Sequence, residues 1–396
     1  MIMKNQFILG LFAIFALTSC SDNSETDYEE IPAYPFVEAE FGSSIDLNNL
    51  ANYANQTVPS YITKNNSQGN VITDKGATLG RVLFYDKNLS SNNTISCASC
   101  HKQEFAFSDT NVASTGVNGT TGRHSMRLIN SRFATETKFF WNERALNLET
   151  QTTMPIKDHG EMGFSGENGD LSFNDLITKL SAIGYYRELF KFVYGTEEIT
   201  ESKIQSALAQ FIRSIQSFDS KYDVGRALAA NDGQPFSNFT AQENQGKNLF
   251  LSPPVFDANG VRTSGGLGCA GCHRAPEFDI DPNSLNNGII GTIAGTGIDT
   301  GNTRAPSLRD LVRTDGTTNG PMMHTGVITT LQAAIGHYGT INIAPGNNNL
   351  DPRLTPRGVG QQLNLNATEV NAVIAFLRTL SGTDVYTNTK WSNPFN

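Results

Sequence analysis

Cys97-Ala98-Ser99-Cys100-His101 is the stretch that decides the fold of this chain. It is a CxxCH motif, in which two cysteines can each form a thioether to one macrocycle and the adjacent histidine can bind its iron. The pattern occurs again at Cys269-Ala270-Gly271-Cys272-His273. Together the two copies use four of the five cysteines in the 396-residue chain. The sequence therefore predicts two covalently bound haem c groups, with His101 and His273 as iron ligands.

The positions of the two motifs argue against other cysteine chemistry. A CxxC…CxxC zinc site usually closes over about 15–20 residues, whereas these two pairs lie far apart in the chain. A redox CxxC normally occurs once, near a βαβ pattern. Structural disulfides stay open as an alternative in an oxidising compartment, but they do not explain a histidine directly after both pairs.

The composition excludes some classes of function. The chain carries 29 basic and 38 acidic residues, a net charge of −9, and it has no basic run, so no nucleic-acid binding is expected. Its hydrophobic fraction of 38% is enough for a chain of this length to bury a core. The length corresponds to about two or three domains, and the two CxxCH motifs favour two.

The first 20 residues are interpreted as a targeting segment. Lys4 precedes an apolar run from Phe7 to Leu17, which is too short to span a bilayer, since a spanning helix needs about 20 residues. The run leads into Leu17-Thr18-Ser19-Cys20, which resembles a bacterial lipoprotein signal and implies a lipid on Cys20. The alternative is an ordinary secretory signal with an unused cysteine. The prediction is a protein of the bacterial periplasm or cell envelope, anchored to a membrane only by the lipid on Cys20.

Composition shifts and turn signals divide the rest of the chain. The expected segments are a signal peptide at 1–20, a flexible acidic tether at 21–50, an N-terminal haem domain at 51–218, a linker at 219–239 and a C-terminal haem domain at 240–396. Apolar periodicity and a capping box predict helices at 78–85, 204–215, from 240 onward and at 369–377. The predicted fold is therefore mainly α, with two tandem cytochrome c-type haem domains and long loops.

The two halves read as related repeats. LGRVLF at 79–84 precedes the first motif, and QGKNLF at 245–250 precedes the second. Stretches that begin with arginine, at 123–128 and 304–308, follow the two motifs in the same way. This self-similarity indicates two copies of one structural unit.

Several motifs beyond the CxxCH pair carry a family resemblance. They are Leu83-Phe84-Tyr85-Asp86, Phe140-Trp141-Asn142-Glu143-Arg144-Ala145, Glu149-Thr150-Gln151, Glu161-Met162-Gly163, Pro321-Met322-Met323-His324-Thr325-Gly326 and Ala375-Phe376-Leu377-Arg378-Thr379-Leu380-Ser381-Gly382. With these motifs, residues 75–385 resemble the bacterial di-haem cytochrome c peroxidases. The same superfamily contains MauG, an oxidase that modifies a protein.

The resemblance implies different tasks for the two haems. The haem at His101 would react with hydrogen peroxide, and the haem at His273 would accept electrons from a small donor such as a cytochrome c or a cupredoxin. Glu161 matches the family's distal glutamate, and a carboxyl there can move a proton between the peroxide oxygens. Gln151 matches a residue that lines the peroxide pocket, and Trp141 matches an electron relay between the haems. The alternatives are a surface carboxylate for Glu161 and plain core packing for Trp141.

Two positions depart from the family pattern. The family's capping histidine is missing from the matching loop 116–122; if nothing else caps the iron, the first site would stay open without reductive activation. The nearest histidine, His124, is open to three interpretations: a displaced cap, a substitute in a calcium shell or a structural residue. For the sixth ligand of the second haem, this chain has Tyr338, as MauG has a tyrosine, where classical members have methionine. Met322 and Met323 are the alternative ligands, and a core aromatic is the alternative role of Tyr338.

The resemblance also implies a calcium ion between the domains, bound at positions that match Asn319 and Pro321. It implies a homodimer, which nothing in the sequence itself indicates. The expected function is a di-haem peroxidase that reduces hydrogen peroxide to water. One alternative is a MauG-like oxidase that modifies a protein substrate, which Tyr338 and the missing cap favour. The other is a pure electron-transfer cytochrome, in which both haems are capped and Glu161 has no role.

Overall fold

Short helices joined by long loops make up most of the protein. The computed structural model describes residues 33–135, 137–280 and 282–395, so the predicted signal peptide and Cys20 lie outside the described residues. The helices are α1 Pro35–Phe41, α2 Asp74–Tyr85, α3 Cys97–Cys100, α4 Leu148–Thr153, α5 Phe173–Ser181, α6 Gly184–Tyr194, α7 Glu201–Ser214, α8 Lys221–Leu228, α9 Ala241–Leu251, α10 Leu331–Gly339 and α11 Ala367–Arg378. In the described ranges, none of them combines the length and the apolar character that crossing a bilayer requires.

Strands are few and pair as short antiparallel ladders. They are β1 Thr115–Gly116 with β2 Gly119–Thr120, β3 Pro254–Phe256 with β4 Arg262–Gly265, and β5 His273–Arg274 with β6 Asp279–Ile280. The last ladder begins at the histidine of the second CxxCH motif. The mainly helical class predicted from the sequence is confirmed.

Two matching helix pairs form the scaffold and confirm the predicted helices. α2 packs on α7 in the first half, and α9 packs on α11 in the second. Each pair crosses at a glycine, since a Cβ on Gly80 would lie 2.0 Å from the Ala207 carbonyl oxygen and one on Gly246 would lie 1.8 Å from that of Ala372. Only glycine allows the backbones to approach so closely. The similarity of LGRVLF and QGKNLF therefore reflects one helix crossing that is used twice.

Buried apolar side chains form two clusters. One draws on residues 37–215, and the other draws on residues 222–380. The end of the chain returns to the first cluster, where Val385 and Trp391 are buried and the Trp391 Nε1–H donates to Ser214 Oγ at 3.2 Å. The tail that the sequence assigned to the second domain therefore packs against the first core.

Two segments that the sequence treated as connections are partly folded. In the predicted tether 21–50, α1 buries Val37 and Phe41, so the tether cannot extend to residue 50. In the predicted linker 219–239, a capping box at Ser220 starts α8, which buries Tyr222. Both helices are too short for apolar periodicity to reveal them, because each offers only two or three buried positions.

Candidate haem sites

The first CxxC pair lies on one helical turn. Ser96 caps α3 through a capping box with Ser99, which fixes the start of the helix just before Cys97. Residues three apart share one helical face, so Cys97 and Cys100 point to the same side. Both thiols are free, and burial raises their pKa values to about 12 and about 11. The pair is therefore available for two thioether bonds to one group.

His101 is neutral and oriented by the backbone. Its Nδ1 lies 3.2 Å from the Phe107 carbonyl oxygen, and because a carbonyl only accepts, Nδ1 carries the proton. Burial lowers the pKa of the ring to about 4, against the opposing effects of the Phe107 and Met126 carbonyls. Nε2 therefore presents a lone pair, and a hydrogen bond at the other nitrogen is the usual arrangement of a metal-binding histidine.

The second motif is similar, except that His273 Nδ1 is buried and makes no hydrogen bond within the described part of the chain. Burial raises the pKa of the Cys269 thiol to about 12 and lowers that of His273 to about 4, while the carbonyls of Phe278 and Pro306 act in the opposite direction on the ring. Phe107 and Phe278 both have φ = 56°, in the left-handed region. Each motif is thus followed by a tight turn that directs a phenylalanine carbonyl toward the histidine.

A cavity of about 580 Å³ lies at the second motif. Its lining includes both cysteines and the histidine of the motif, together with the three predicted candidates for the sixth ligand: Cys269, Cys272, His273, Tyr338, Met322 and Met323. Apolar side chains such as Phe250, Leu267 and Leu377 cover much of the remaining wall. The structure therefore brings together every residue that the sequence assigned to the second haem.

Buried atoms without partners show that this cavity suits a haem. The Nε atoms of Arg127 and Arg304, both in the lining, are buried and make no hydrogen bond within the described part of the chain. A buried donor left unpaired costs about 1–3 kcal/mol, and more when it is charged. A haem combines an apolar ring with two carboxylates, so it would cover the apolar wall and supply anions to these arginines.

Tyr338 and Met323 lie together on the wall of the second cavity. The Asn287 side-chain amide is 3.5 Å from the Tyr338 hydroxyl and 3.4 Å from the Met323 sulfur. Burial raises the pKa of Tyr338, with a further contribution from Cys272. Met322 also lines the cavity, and its backbone N–H donates to Ile328 at 2.6 Å. The geometry keeps the tyrosine and the methionines as candidate ligands.

Glu161 lies near the first motif. Its negative charge contributes to the raised pKa values of both Cys97 and Cys100, which places the carboxylate within electrostatic range of the two thiols. Burial raises the pKa of Glu161 itself to about 7, the charge of Asp158 adds to the rise, and Arg144 opposes it. Glu161 is therefore a half-buried carboxyl, and its catalytic role stays a prediction.

The loop that matches the family's capping loop forms a hairpin against Glu161. Within 116–122, the Val117 N–H donates to the Glu161 carbonyl at 3.0 Å and the Asn118 N–H donates to Gly160 at 3.1 Å. The loop contains no histidine. Its backbone instead fixes the segment that carries the candidate acid.

Gln151 lies on α4, a helix that leads into the segment containing Glu161. It is half-buried, and its backbone carbonyl accepts from Met154 at 3.2 Å. An ion pair between Glu149 and Arg213 ties α4 to α7. The predicted role of Gln151 at the peroxide pocket stays a prediction.

Trp141 lies between the two motifs. It is buried, it lines the second cavity, and its Nε1–H donates to the His124 carbonyl at 2.6 Å. His124 in turn is within electrostatic range of His101, since it contributes to the low pKa of that ring. The indole ring centroid is 6.4 Å from that of His324. This position suits a relay between the sites as well as core packing.

His124 is buried and engaged on several sides. Its backbone N–H donates to the His324 carbonyl at 2.8 Å, and its Nδ1 lies 3.0 Å from the Asn111 carbonyl oxygen. These bonds tie a loop of the first half to the second half. They provide a structural role for His124, whereas ligation of iron or calcium stays a prediction.

The side chain of Asn319 is already occupied by protein groups. Its Oδ1 accepts from Arg313 Nε at 3.2 Å, and its Nδ2 donates to the Asp310 carbonyl at 2.8 Å. Pro321 lines the second cavity. Across the described ranges, no group of three or more His, Cys, Asp or Glu side chains is arranged to hold a metal ion. A calcium ion would therefore depend on the backbone carbonyls of Asn319 and Pro321, and it stays a prediction.

Sequence reasoning missed the charged and amide groups around the sites. Arg127 and Arg304 occur in the repeated stretches that follow the motifs, so their recurrence was an available signal. Arg144 occurs in the Phe140–Ala145 motif. Asn287 lies in a loop without any local pattern, and only the fold shows that it faces Tyr338.

Two CxxC pairs, each followed by a buried and neutral histidine, define a c-type protein with two haem sites. Comparisons with known proteins agree with this class. The family described as di-haem cytochrome c peroxidase matches residues 74–230.

Relatives cover most of the chain. The methylamine utilization protein MauG of Methylorubrum extorquens is 30% identical over 285 residues, which are 68% of this chain and 70% of that protein. The cytochrome c551 peroxidase of Nitrosomonas europaea is 29% identical over 324 residues, 77% of this chain and 80% of that protein. The crystal structure of a MauG-like protein associated with microbial copper homeostasis matches with a TM-score of 0.64 and 28% identity, covering 86% of this chain and 99% of that one.

The chain therefore belongs to the bacterial di-haem cytochrome c peroxidase and MauG-like family, and the predicted resemblance is confirmed. Members of this family are haem-dependent oxidoreductases that transfer electrons. Because the relatives include both peroxidases and MauG, family membership alone does not select between these two activities.

Proposed function

We propose that this protein is a di-haem peroxidase that reduces hydrogen peroxide to water with electrons from a small donor protein such as a cytochrome c or a cupredoxin. The haem c groups would be attached at Cys97 and Cys100 and at Cys269 and Cys272. The observation that carries the proposal is Glu161, a half-buried carboxyl beside the first motif whose pKa is raised to about 7 by burial. Neither structural packing nor simple electron transfer requires such a group.

Glu161 has the properties of a proton-transfer group. A side chain whose pKa lies near the working pH can both accept and donate a proton efficiently. Glu161 would take a proton from one peroxide oxygen and return it to the other, so that this second oxygen leaves as water. Burial raises the pKa of Glu161 to about 7, and the charges of Asp158 and Arg144 act on it in opposite directions. The haem, when bound, supplies the iron redox chemistry that cleavage of the O–O bond needs.

Electrons would enter at the second site and pass Trp141 to the first. The hydrogen bond from its Nε1–H to the His124 carbonyl holds the indole in the wall of the second cavity. The backbone of Arg304, a lining residue of the second cavity, donates to the Trp141 carbonyl at 2.7 Å. A relay held on both sides keeps a constant distance to each site.

Substitution of Glu161 tests the proposal directly. With the haem-loaded protein, peroxide-dependent oxidation of a reduced donor cytochrome is followed. We expect Glu161→Gln to lower turnover by about 10²–10⁴-fold, the usual contribution of a general acid–base, while both haems stay attached. Glu167 is an exposed carboxylate that, like Glu161, precedes α5 in the sequence. Glu167→Gln is therefore the matched control, and its turnover should equal that of the wild-type protein. Wild-type turnover in Glu161→Gln would refute the role of Glu161.

A MauG-like oxidase that modifies a protein substrate is the second candidate. Its supporting observations are Tyr338 in the lining of the second cavity and the 30% identity to a MauG protein. This function predicts little turnover with a donor cytochrome and a long-lived oxidised spectrum after peroxide. A pure electron-transfer protein would show no spectral response to peroxide at all.

We also propose that the protein is anchored in the bacterial periplasm or cell envelope by a lipid on Cys20. The support is the sequence Leu17-Thr18-Ser19-Cys20 after a short apolar run. Cys20→Ser should release the protein from membranes into the soluble fraction. Retention of this variant in washed membranes would contradict the proposed anchor.

A further inference from the structure

A buried pair of tyrosines shares one carboxylate oxygen in the first half of the molecule. The hydroxyls of Tyr185 and Tyr186 both donate to Oδ2 of Asp86, each at 2.7 Å. All three side chains are buried. The two ring centroids are 4.8 Å apart, and the ring planes are inclined at 46°. The proton and electron steps proposed above use none of these groups.

The pair lies beside the first CxxCH motif. Asp86 directly follows α2, which packs against α3, the helix that carries Cys97. Cys97 packs on the hydrophobic cluster that contains both tyrosines. It also contributes to the raised pKa of Tyr186. Tyr186 is therefore within electrostatic range of a sulfur to which the first haem would be attached.

A structural role explains only half of the arrangement. Oδ1 of Asp86 accepts from the Asn88 backbone N–H at 2.7 Å and caps the turn after α2. Oδ2 accepts hydrogen bonds from the two phenolic hydroxyls, and the turn needs neither of these bonds. One carboxylate oxygen of Asp86 therefore caps the turn, and the other is available for a second function that involves the phenols.

The environment favours the loss of an electron and a proton together. Burial raises the pKa values of Tyr185 and Tyr186, and the charge of Asp86 adds to the effect, so neither phenol ionises alone near neutral pH. A phenol that has lost an electron becomes strongly acidic. A carboxylate already hydrogen-bonded to it can then accept its proton without any movement of heavy atoms.

We infer that Tyr186, Tyr185 and Asp86 form an internal electron source for the first haem site, used when peroxide has oxidised that site and no donor protein is bound. This inference rests on the proposed peroxidase function. An electron leaves Tyr186 for the oxidised site, the phenolic O–H bond breaks, and the proton moves to Oδ2 of Asp86. The products are a neutral phenoxyl radical and a neutral carboxylic acid, and one negative charge has passed to the site.

The second tyrosine moves the oxidising equivalent away from the haem. Tyr185 gives an electron to the Tyr186 radical, the proton on Asp86 returns to Tyr186, and the proton of Tyr185 replaces it on Oδ2. A one-electron reductant, such as ascorbate or the donor protein, then restores Tyr185. The device protects the first site because an unused oxidising equivalent ends on a phenol that can be reduced again.

Electron paramagnetic resonance of the haem-loaded protein tests the inference. Peroxide is added without donor, and the sample is frozen. The wild-type protein should show a phenoxyl signal that narrows when its tyrosines carry ring deuterium. Tyr186→Phe should lose most of this signal. So should Asp86→Asn, whose amide oxygen can still cap the Asn88 N–H but cannot take up a phenolic proton.

Tyr61→Phe is the matched control. It removes another hydrogen bond from a phenol to a carboxylate, from Tyr61 to Asp223 at 2.8 Å, in a part of the chain that packs near Arg226 instead of the first motif. This variant should keep the full signal. Equal losses in Tyr61→Phe and Tyr186→Phe would overturn the inference.

Optical spectra of the same samples distinguish the possible failures. If peroxide changes the haem spectrum but the radical signal is absent, or is unchanged in Tyr186→Phe and Asp86→Asn, the inference is overturned and the peroxidase proposal stands. If peroxide leaves the haem spectrum unchanged, both fail. If Tyr186→Phe does not fold, Asp86→Asn and the deuterated wild-type protein decide, since a signal that does not respond to ring deuteration does not come from tyrosine.

Discussion

Gly116→Ala should disable the first site without removing its haem. A Cβ on Gly116 would lie 2.1 Å from the Gly160 carbonyl oxygen and 2.8 Å from Glu161 Cα. Ordinary van der Waals contact begins at 3.4 Å, so the segment that carries Glu161 must move by about 1.3 Å. A displacement of about 1 Å at a catalytic group can cost about 10²-fold in rate. We therefore expect turnover to fall by about 10²-fold, with a stability cost of about 1–3 kcal/mol from overpacking.

Gly122→Ala supplies the matched control for this prediction. Gly122 lies in the same loop, and a Cβ there would meet nothing within 4 Å. Peroxide-dependent oxidation of reduced cytochrome c, normalised to covalent haem content, is the assay. Wild-type turnover in Gly116→Ala would refute the argument that this hairpin positions Glu161. So would an equal loss in Gly122→Ala, because open space cannot produce it.

Three further outcomes follow from the contacts described. Arg144→Met should raise the pKa of Glu161 above about 7, since Arg144 lowers it. The carboxyl should then stay protonated to higher pH, so the inflection that Glu161 causes in the pH-rate profile should move to higher pH. Tyr338→Phe should raise the reduction potential of the second haem if the phenolate is a ligand, because that ligand stabilises ferric iron more than a thioether does. Redox titration of Met323→Leu should then show no such shift. A shift in Met323→Leu alone would instead identify the methionine as the ligand. Trp391→Ala should lower the free energy of unfolding by about 3–5 kcal/mol, measured by denaturant titration, because the indole fills the first core.

The sequence could predict the features that depend on local pattern. The CxxCH motifs and the long amphipathic helices repeat at fixed spacing, so α2, α7, α9 and α11 were accessible. The carbonyl that orients His101 was not, because it depends on Phe107 adopting φ = 56°, a conformation that a phenylalanine gives no reason to expect. The packing of Trp391 in the first core could not be predicted either, because a single contact with Ser214 produces no hydrophobic periodicity in the sequence of the short C-terminal tail.

The two candidate haem sites differ mainly away from the turns that follow the CxxCH motifs. Similar carbonyls lie near both proximal histidines, those of Phe107 and Met126 near His101 and those of Phe278 and Pro306 near His273. Met126 and Pro306 even occupy corresponding positions, two residues before the leucines that end the repeated stretches at 128 and 308. A similar proximal side would not by itself give the two sites the different roles proposed for them.

Several groups near the two motifs differ between the halves. Near the first motif, the 116–122 hairpin bonds to the Glu161 backbone, and burial raises the pKa of the Glu161 carboxyl to about 7. At the second, Asn287 contacts both Tyr338 and Met323 inside the cavity. One repeat therefore offers a candidate proton-transfer group, and the other offers candidate iron ligands. Since the helix crossing is common to both halves, differences at these few positions would be enough to separate the two proposed roles.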